Sequence, residues 1–285
     1  PSHLSNLALW LSADSVEIND GKVARWYDRS ENDYQILQNS ATERPTTAIA
    51  TELNNQHVIV FNGTNNYLDG GDILDLEDNS NTVFFVGKKI GTNKTFLAKS
   101  KAITGEGRYG FVSGNNNITL YYCENSCKNI STNLFTDDKF IITTWINNRE
   151  ISKNRIFLNS VFNVEGNLDP GYNFNTNYNF LIGAYNNSSG TTPPLSGYFL
   201  NGAIAEIIFY NRLLTDLERI TVENYLMDKY TPEFSLGPDI FVDYGFCDTT
   251  ISIPEGFTDF QWSTGETTQS ISVNQSGQYW ASAKD

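Results

Sequence analysis

NGAIAEIIFYNRLLTDLERITVENYLMDKY, residues 201–230, places an apolar strand directly ahead of the one convincing helix in the chain. Residues 203–210 are too few, and too rich in isoleucine and aromatics, for a surface helix; they read as a buried strand ended by the turn Asn211-Arg212. Thr215 offers a hydroxyl to cap the helix start and Glu218 stands three residues on, the pattern of a capping box. Asp216 in the first turn and Lys229 in the last suit the helix dipole, and Pro232 ends the helix. At about 100° per residue, Leu217, Ile220 and Met227 share one flank while Val222, Leu226 and Tyr230 share another. One flank is therefore expected to pack on the sheet and the other to touch a linker or a second domain. Glu206 is the oddity, a carboxylate inside an apolar strand. Burial demands a partner, and Arg212, Arg25 or a backbone donor is expected to supply it rather than a catalytic setting.

Outward from this stretch, short apolar runs alternate with polar turns. Runs at 7–11, 23–27, 58–61, 82–86, 95–98, 109–112, 118–122, 140–146, 155–158 and 180–184 join 203–210 as eleven candidate strands before the helix. Asparagine tolerates left-handed turn geometry, so the 34 asparagines, among them 115–117 and 147–148, mark hairpin tips. Eleven strands are too many for a small immunoglobulin domain, and two packed antiparallel sheets of a jelly roll are expected.

A chain of 285 residues with 39% hydrophobic and 13% aromatic content can fill the core of one large β domain and part of another. A net charge of −14 argues against nucleic acid and anionic membrane surfaces, which attract basic proteins. No run approaches the roughly 18–20 apolar residues of a membrane span, so no membrane span is expected. The first residue is Pro1, so an exported form is expected to have lost its signal peptide already.

Leu9-Trp10-Leu11-Ser12-Ala13-Asp14, Gly21-Lys22-Val23, Trp26-Tyr27-Asp28-Arg29-Ser30, Arg44-Pro45, and 58–61 followed by Asn62-Gly63-Thr64-Asn65-Asn66-Tyr67-Leu68 occur in that order. Together with the strand and helix of 202–230 they resemble bacterial laminin-G-like domains of the concanavalin A-like lectin/glucanase superfamily. The likeness spans residues 4 to 230. Beyond it, residues 236–285 carry a net charge of −6 against −8 for the first 235, a shift in charge density that marks a second module. Leu236-Gly237-Pro238-Asp239, then 260–271, then Ser276-Gly277-Gln278-Tyr279-Trp280 resemble the immunoglobulin-like or PKD-like repeats of large Bacteroidetes surface proteins. The expected architecture is all-β: a concanavalin A-like jelly-roll sandwich over 1–232 with one C-terminal helix, then a partial Ig-like β-sandwich over 233–285. In such repeats a cysteine near the position of Cys247 pairs with one beyond residue 285, so the second domain is expected to continue.

Candidate sites follow from chemistry. A retaining glycosidase holds two carboxyls roughly 5–5.5 Å apart. Glucanases of this superfamily resemble Glu-x-Asp-x-x-Glu at that point, and the nearest stretch here, Asp72-Ile73-Leu74-Asp75-Leu76-Glu77-Asp78, lacks the full pattern. Neither His3 nor His57 has zinc-ligand spacing, and Gly105-Glu106-Gly107 lacks the lysine and helix of a phosphate loop. Calcium, a hard cation that laminin-G-like folds carry at a sheet rim, is the metal the resemblance implies, with Asp69 and Asp72, or Asp14 and Asp20, as ligands. Sugar binding needs flat aromatic faces beside amides, and Tyr109, Tyr121, Trp145 and Tyr185 stand among asparagines in the middle of the domain. Trp10, Trp26 and Trp262 sit in apolar runs and are assigned to cores. Cys123 and Cys127 are spaced for a local disulfide, which suits an exported protein, or stand as free thiols.

The function implied is a non-enzymatic adhesin segment, secreted or on the outer cell surface, in which a lectin-like domain binds a glycan or surface protein and Ig-like repeats act as spacer. By resemblance such proteins leave through the type IX secretion machinery, and Asp14-Ser15-Val16 and Asp248-Thr249-Thr250 match the O-glycosylation pattern of that group. The alternatives are an accessory carbohydrate-binding domain of a polysaccharide-degrading enzyme and, further off, a glycoside hydrolase.

Overall fold

The computed structural model describes residues 1–285 except 77–78, 101–107, 124–126, 134, 169–174, 232–235, 242–247 and 285. The chain divides into two compact units, Pro1–Thr231 and Pro232–Asp285. In the first, strands run in chain order β1 (Leu7–Asn19), β2 (Lys22–Asp28), β3 (Gln35–Leu37), β4 (Thr46–Ala50), β5 (Gln56–Asn62), β6 (Leu68–Asp69), β7 (Asn81–Lys89) and β8 (Thr95–Lys99). They continue as β9 (Arg108–Ser113), β10 (Ile118–Cys123), β11 (Cys127–Ser131), β12 (Ile141–Asn148), β13 (Lys153–Leu158), β14 (Val161–Asn167), β15 (Phe180–Ile182) and β16 (Asn201–Tyr210), ahead of helix α1 (Asp216–Tyr230).

Fourteen of the sixteen strands form one hydrogen-bonded path, β11-β10-β9-β8-β15-β6-β3-β2-β1-β16-β7-β12-β13-β14, while off it β5 pairs with β16 and β4 pairs with β5. Every pairing is antiparallel. The path folds back on itself, because rings far apart along it meet in one core. Phe111 of β9 lies 5.2 Å from Phe85 of β7 and 5.5 Å from Trp145 of β12, and Phe180 of β15 lies 5.7 Å from Phe209 of β16. Two layers face each other across these rings, the arrangement of a jelly-roll-like sandwich.

The continuous apolar run of β16 follows from burial on both faces. Ile204, Ile207 and Phe209 enter the inter-sheet core, while Ala203, Ala205, Ile208 and Tyr210 join Phe84, Val86, Ile142 and the helix residues Val222, Leu226 and Tyr230 in a second cluster. A register shift between Ile204 and Glu206 leaves two successive residues on the helix side, and this bulge aims Glu206 out of the core and under α1. The capping box forms with both its hydrogen bonds. One helical flank packs on the sheet as expected. Leu217 and Ile220 lie off the packed side of the first unit, and Met227 is half-buried against the same cluster as Val222. The packed side is instead widened by two polar residues, Arg219 and Glu223, which bond each other; Glu223 accepts from Thr144 at 2.8 Å and Arg219 lies 4.2 Å over the Phe157 ring.

The second unit holds β17 (Thr249–Ser252), β18 (Thr258–Trp262), β19 (Ser270–Val273) and β20 (Ala281–Lys284), paired as β17–β19 and β18–β20 around Ile253, Trp262, Ile271 and Val273. The Trp262 indole N–H donates to Thr268 O at 2.7 Å. Among the described residues no helix is long and apolar enough to cross a membrane.

Candidate functional site

Two groups of side chains compete for attention, one under the helix and one on the outer face of the β8–β11 half. Glu206 anchors the first. Its side chain is fully buried, and its two oxygens accept five hydrogen bonds. Oε1 takes the Trp10 indole N–H at 2.7 Å and the Tyr225 hydroxyl at 2.9 Å; Oε2 takes the Lys229 ammonium at 2.8 Å, the Tyr230 hydroxyl at 2.6 Å and, more distantly, Ser12 Oγ at 3.5 Å. Burial first, then the charge of Glu206, pushes both phenols well above the ordinary tyrosine range, so they stay protonated donors. The expected partners do other work. Arg212 makes a bidentate pair with Glu218 at 2.7 and 2.8 Å, and this pair with the Thr215 backbone N–H pulls the Glu218 carboxyl down to about 2, while Arg25 sits 3.9 Å from Glu17. The lone pairs of Glu206 are thus directed at internal donors, an arrangement that fastens a helix to a sheet. Trp10 belongs to this group and, as expected, also packs against a core, the cluster of Phe84, Val222 and Leu226. It is half-buried, edge-on to Tyr225 at 6.4 Å and covered by Arg29 at 4.2 Å, whereas Trp26 is fully buried with its N–H on Ser12 O at 2.8 Å.

The proposed calcium ligands are engaged in three different ways. Asp72 and Asp75 both hold the fully buried ammonium of Lys99, at 2.6 and 3.1 Å, and Ile73 O accepts from the same Nζ at 2.9 Å. A lysine therefore stands where the loop gathers its oxygens. Asp69 accepts from the Asn179 amide at 2.9 and 3.0 Å and from Gly71 N at 2.8 Å. Asp14 lies 3.5 Å from Arg29 and 3.8 Å from Lys229. Asp20 has φ 52° ahead of Gly21 at 73°, the two positive-φ positions of a tight hairpin between β1 and β2, so its place in the sequence is explained by the turn. Among the described residues no three His, Cys, Asp or Glu side chains are grouped to hold a metal ion. Because the ammonium of Lys99 fills the loop at residues 72–75, millimolar calcium and excess chelator are expected to leave the same melting temperature; a rise of several degrees with calcium would refute this.

The second group is built by the two-residue alternation of strands. On β9 and β10, Tyr109, Phe111, Leu120 and Tyr122 point into the inter-sheet core, which leaves Gly110, Val112, Thr119 and Tyr121 on the opposite face. Two of the four aromatic candidates are therefore excluded from contact with a ligand. Tyr109 and Trp145 are fully buried, their rings 5.8 Å apart; Tyr109 donates to Leu74 O at 3.1 Å and Trp145 to Asn154 Oδ1 at 2.8 Å. Their core-facing register overturns the stacking role expected of them.

The other two are brought together. Gly110 pairs with Tyr121 on one side and with Ala98 of β8 on the other. A Cβ on Gly110 would meet Ala98 Cβ at 3.1 Å and Tyr185 Cε2 at 3.5 Å, so the Tyr185 ring lies against the glycine. Tyr185 itself is almost buried, packed on Ala98, Val112 and, at 5.7 Å between ring centroids, Tyr198. Tyr121 is 36% exposed. Next to it across β11 stands exposed Asn129, and one row along, Thr119 and Ser131 share a hydroxyl hydrogen bond of 2.9 Å. Gly110 and Ala98 are buried beneath the Tyr185 ring, so the groups this face turns outward are Tyr121, Asn129 and Ser131, with the buried Thr119 hydroxyl bonded to Ser131. Gly110, Asn129, Thr119, Ser131 and Tyr198 were not picked out from sequence, although strict alternation from the core residues of β9 and β10 marks the outward set.

Cys123 and Cys127 are opposite each other in the β10–β11 register. Their side chains, like Glu77, 105–107 and Cys247, lie outside what the structure describes, so the disulfide and the acid pair with Asp75 are not placed.

This all-β, jelly-roll-like sandwich with one helix is a fold found in toxin receptor-binding domains. The binding domain of Paraclostridial Mosquitocidal Protein 1 superposes with a TM-score of 0.60 at 10% identity, over 98% of this chain and 63% of that one. The receptor binding domain of botulinum neurotoxin D gives 0.54 at 10% identity, over 78% and 53% of the two chains. The binding domain of botulinum neurotoxin DC in complex with SialylT gives 0.51 at 13% identity, over 78% and 52%. The chain thus spans between about half and two thirds of those domains. No protein-family model matches the sequence, and no curated protein aligns with it.

Proposed function

We propose that the first unit is a non-enzymatic binding domain that takes a glycan or a surface protein on the tyrosine-flanked outer face of β8–β11. The observation that carries this reading is the exposed Tyr121 ring with exposed Asn129 and Ser131 beside it, on a face backed by the Tyr185–Tyr198 pair packed over Gly110 and Ala98. A flat ring flanked by amide and hydroxyl groups can stack on the apolar face of a pyranose while bonding its hydroxyls. The fold likeness to receptor-binding domains, one of them in complex with SialylT, supports a binding role. The sequence likeness to laminin-G-like domains and to the immunoglobulin-like repeats of surface proteins supports the wider setting. There the first unit is a segment of a secreted or outer-surface adhesin, exported through the type IX route, and the second unit belongs to a spacer.

A glycan array and a surface-protein pull-down with the whole chain test the site directly. Tyr121→Ala is expected to lower affinity for any retained ligand by about tenfold, the order of one aromatic contact, while the chain stays folded because the residue lies outside the buried core. Retention of a ligand with affinity untouched by Tyr121→Ala and by Asn129→Ala would move the site elsewhere and sink this reading.

A further inference from the structure

A row of three buried asparagines crosses the opposite half of the sandwich. Asn81 of β7 pairs in register with Asn147 of β12, and Asn147 with Asn154 of β13. All three are fully buried. Each sits two residues from an inter-sheet core residue, Val83, Trp145 and Ile156, so all three amides point to the inner face. The sequence suggests a hairpin tip at 147–148, but only Asn148 serves the turn, accepting from Glu150 N at 3.0 Å. Asn147 faces inward.

The orientation of two amides is fixed by their neighbours. The Trp145 indole N–H can only donate, so Asn154 turns its oxygen to it at 2.8 Å and leaves its NH2 free. The Asn79 carbonyl can only accept, so Asn147 turns its NH2 to it at 3.4 Å and leaves its oxygen free. Four amide atoms then have no protein partner: Asn154 Nδ2, Asn147 Oδ1 and both polar atoms of Asn81. Buried polar groups are nearly always satisfied, and leaving one unpaired costs more than a hydrogen bond gains. The unpaired atoms select their ligand. The free NH2 groups disfavour a cation and the free carbonyl oxygens disfavour an anion, while complete burial limits size. What remains is a small neutral molecule that both donates and accepts.

We propose that Asn81, Asn147 and Asn154 form an internal site for ordered water, one molecule accepting from Asn154 Nδ2 and donating to the oxygens of Asn147 and Asn81. That gives it three hydrogen bonds, about the usual number for a buried water, and it joins β7, β12 and β13 at the level below Trp145. The test is an experimental structure of the wild-type chain at a resolution that shows solvent, together with water-oxygen magnetic relaxation dispersion on wild type and on Asn81→Leu/Asn147→Leu. A density peak bonded to at least two of the three amides, and loss of at least one long-lived water in the variant, are expected. Amides bonded directly to one another with no solvent between them would overturn the proposal. So would an unchanged count of long-lived waters in a folded variant. The wild-type density answers the question even where the variant does not fold.

Discussion

Glu206→Ala is expected to destabilise the first unit by about 3–5 kcal/mol, the cost of stranding one member of a buried ion pair. The alanine leaves the Trp10 N–H, two tyrosine hydroxyls and the Lys229 ammonium facing a hole where the carboxylate stood. Lys229 is the worst placed of these, because its other near partners are two neutral hydroxyls, Ser12 Oγ at 2.8 Å and Tyr225 at 3.5 Å, and the more distant Asp14 at 3.8 Å. Glu206→Gln keeps the volume and one acceptor, but turns an NH2 towards either the Trp10 N–H or the Lys229 ammonium, both of which can only donate, so it too is expected to cost well over ~1 kcal/mol. Urea unfolding followed by tryptophan fluorescence measures both, and a double-mutant cycle separates the ion pair from the rest. Glu206→Leu combined with Lys229→Met is expected to be milder than Glu206→Leu alone, since removing both charges relieves the stranded one. A loss below 1 kcal/mol for Glu206→Ala would mean that the carboxylate does not hold the helix, and would reopen a chemical role for it.

The strand and helix that carry this network were legible in the sequence, as was the all-β class, because burial on both faces of β16 and a complete capping box each leave a local signature. Five strands were not. Gln35–Leu37 and Leu68–Asp69 are too short for a period to show. Thr46–Ala50, Cys127–Ser131 and Val161–Asn167 are polar or largely exposed, so their pairing is decided by neighbours far along the chain rather than by their own pattern. The partners of Glu206 were illegible for a related reason. Trp10 and Ser12 reach it only because β1 pairs with β16, almost two hundred residues away, and Tyr225, Lys229 and Tyr230 because the bulge between Ile204 and Glu206 turns the side chain towards the helix. Among the aromatic candidates, Tyr121 and Tyr109 lie on adjacent strands with similar surroundings in sequence. Alternation from the core decides which faces out, and that requires knowing which residues are core.

The start of the same strand gives the second large expectation. Gly202→Ala is expected to cost about 3 kcal/mol or more, at the upper end of the range for overpacking. Gly202 pairs with Phe61 of β5 on one side and Lys89 of β7 on the other, at the point where β16 joins both. A Cβ there would stand 2.0 Å from the Lys88 carbonyl oxygen and 2.9 Å from Lys89 Cα, and backbone cannot rotate aside as a side chain can. Relief requires β16 and β7 to part. Lys89 then moves with its strand, and its buried ammonium holds the carbonyls of Gly114 and Asn115 at 3.0 and 2.6 Å as well as Asp137, so the strain reaches the β9–β10 turn behind the proposed binding face. Gly71→Ala separates space from conformation. Gly71 has φ 68° and an added methyl would find nothing within 4 Å, so alanine there meets only the left-handed backbone penalty of about 1–2 kcal/mol. Chemical unfolding of the two variants is expected to place Gly202→Ala clearly below Gly71→Ala, with Tyr121-dependent binding weakened only in the former. Equal stabilities, or a Gly202→Ala protein within 1 kcal/mol of wild type, would show that β16 is not seated between β5 and β7 as described.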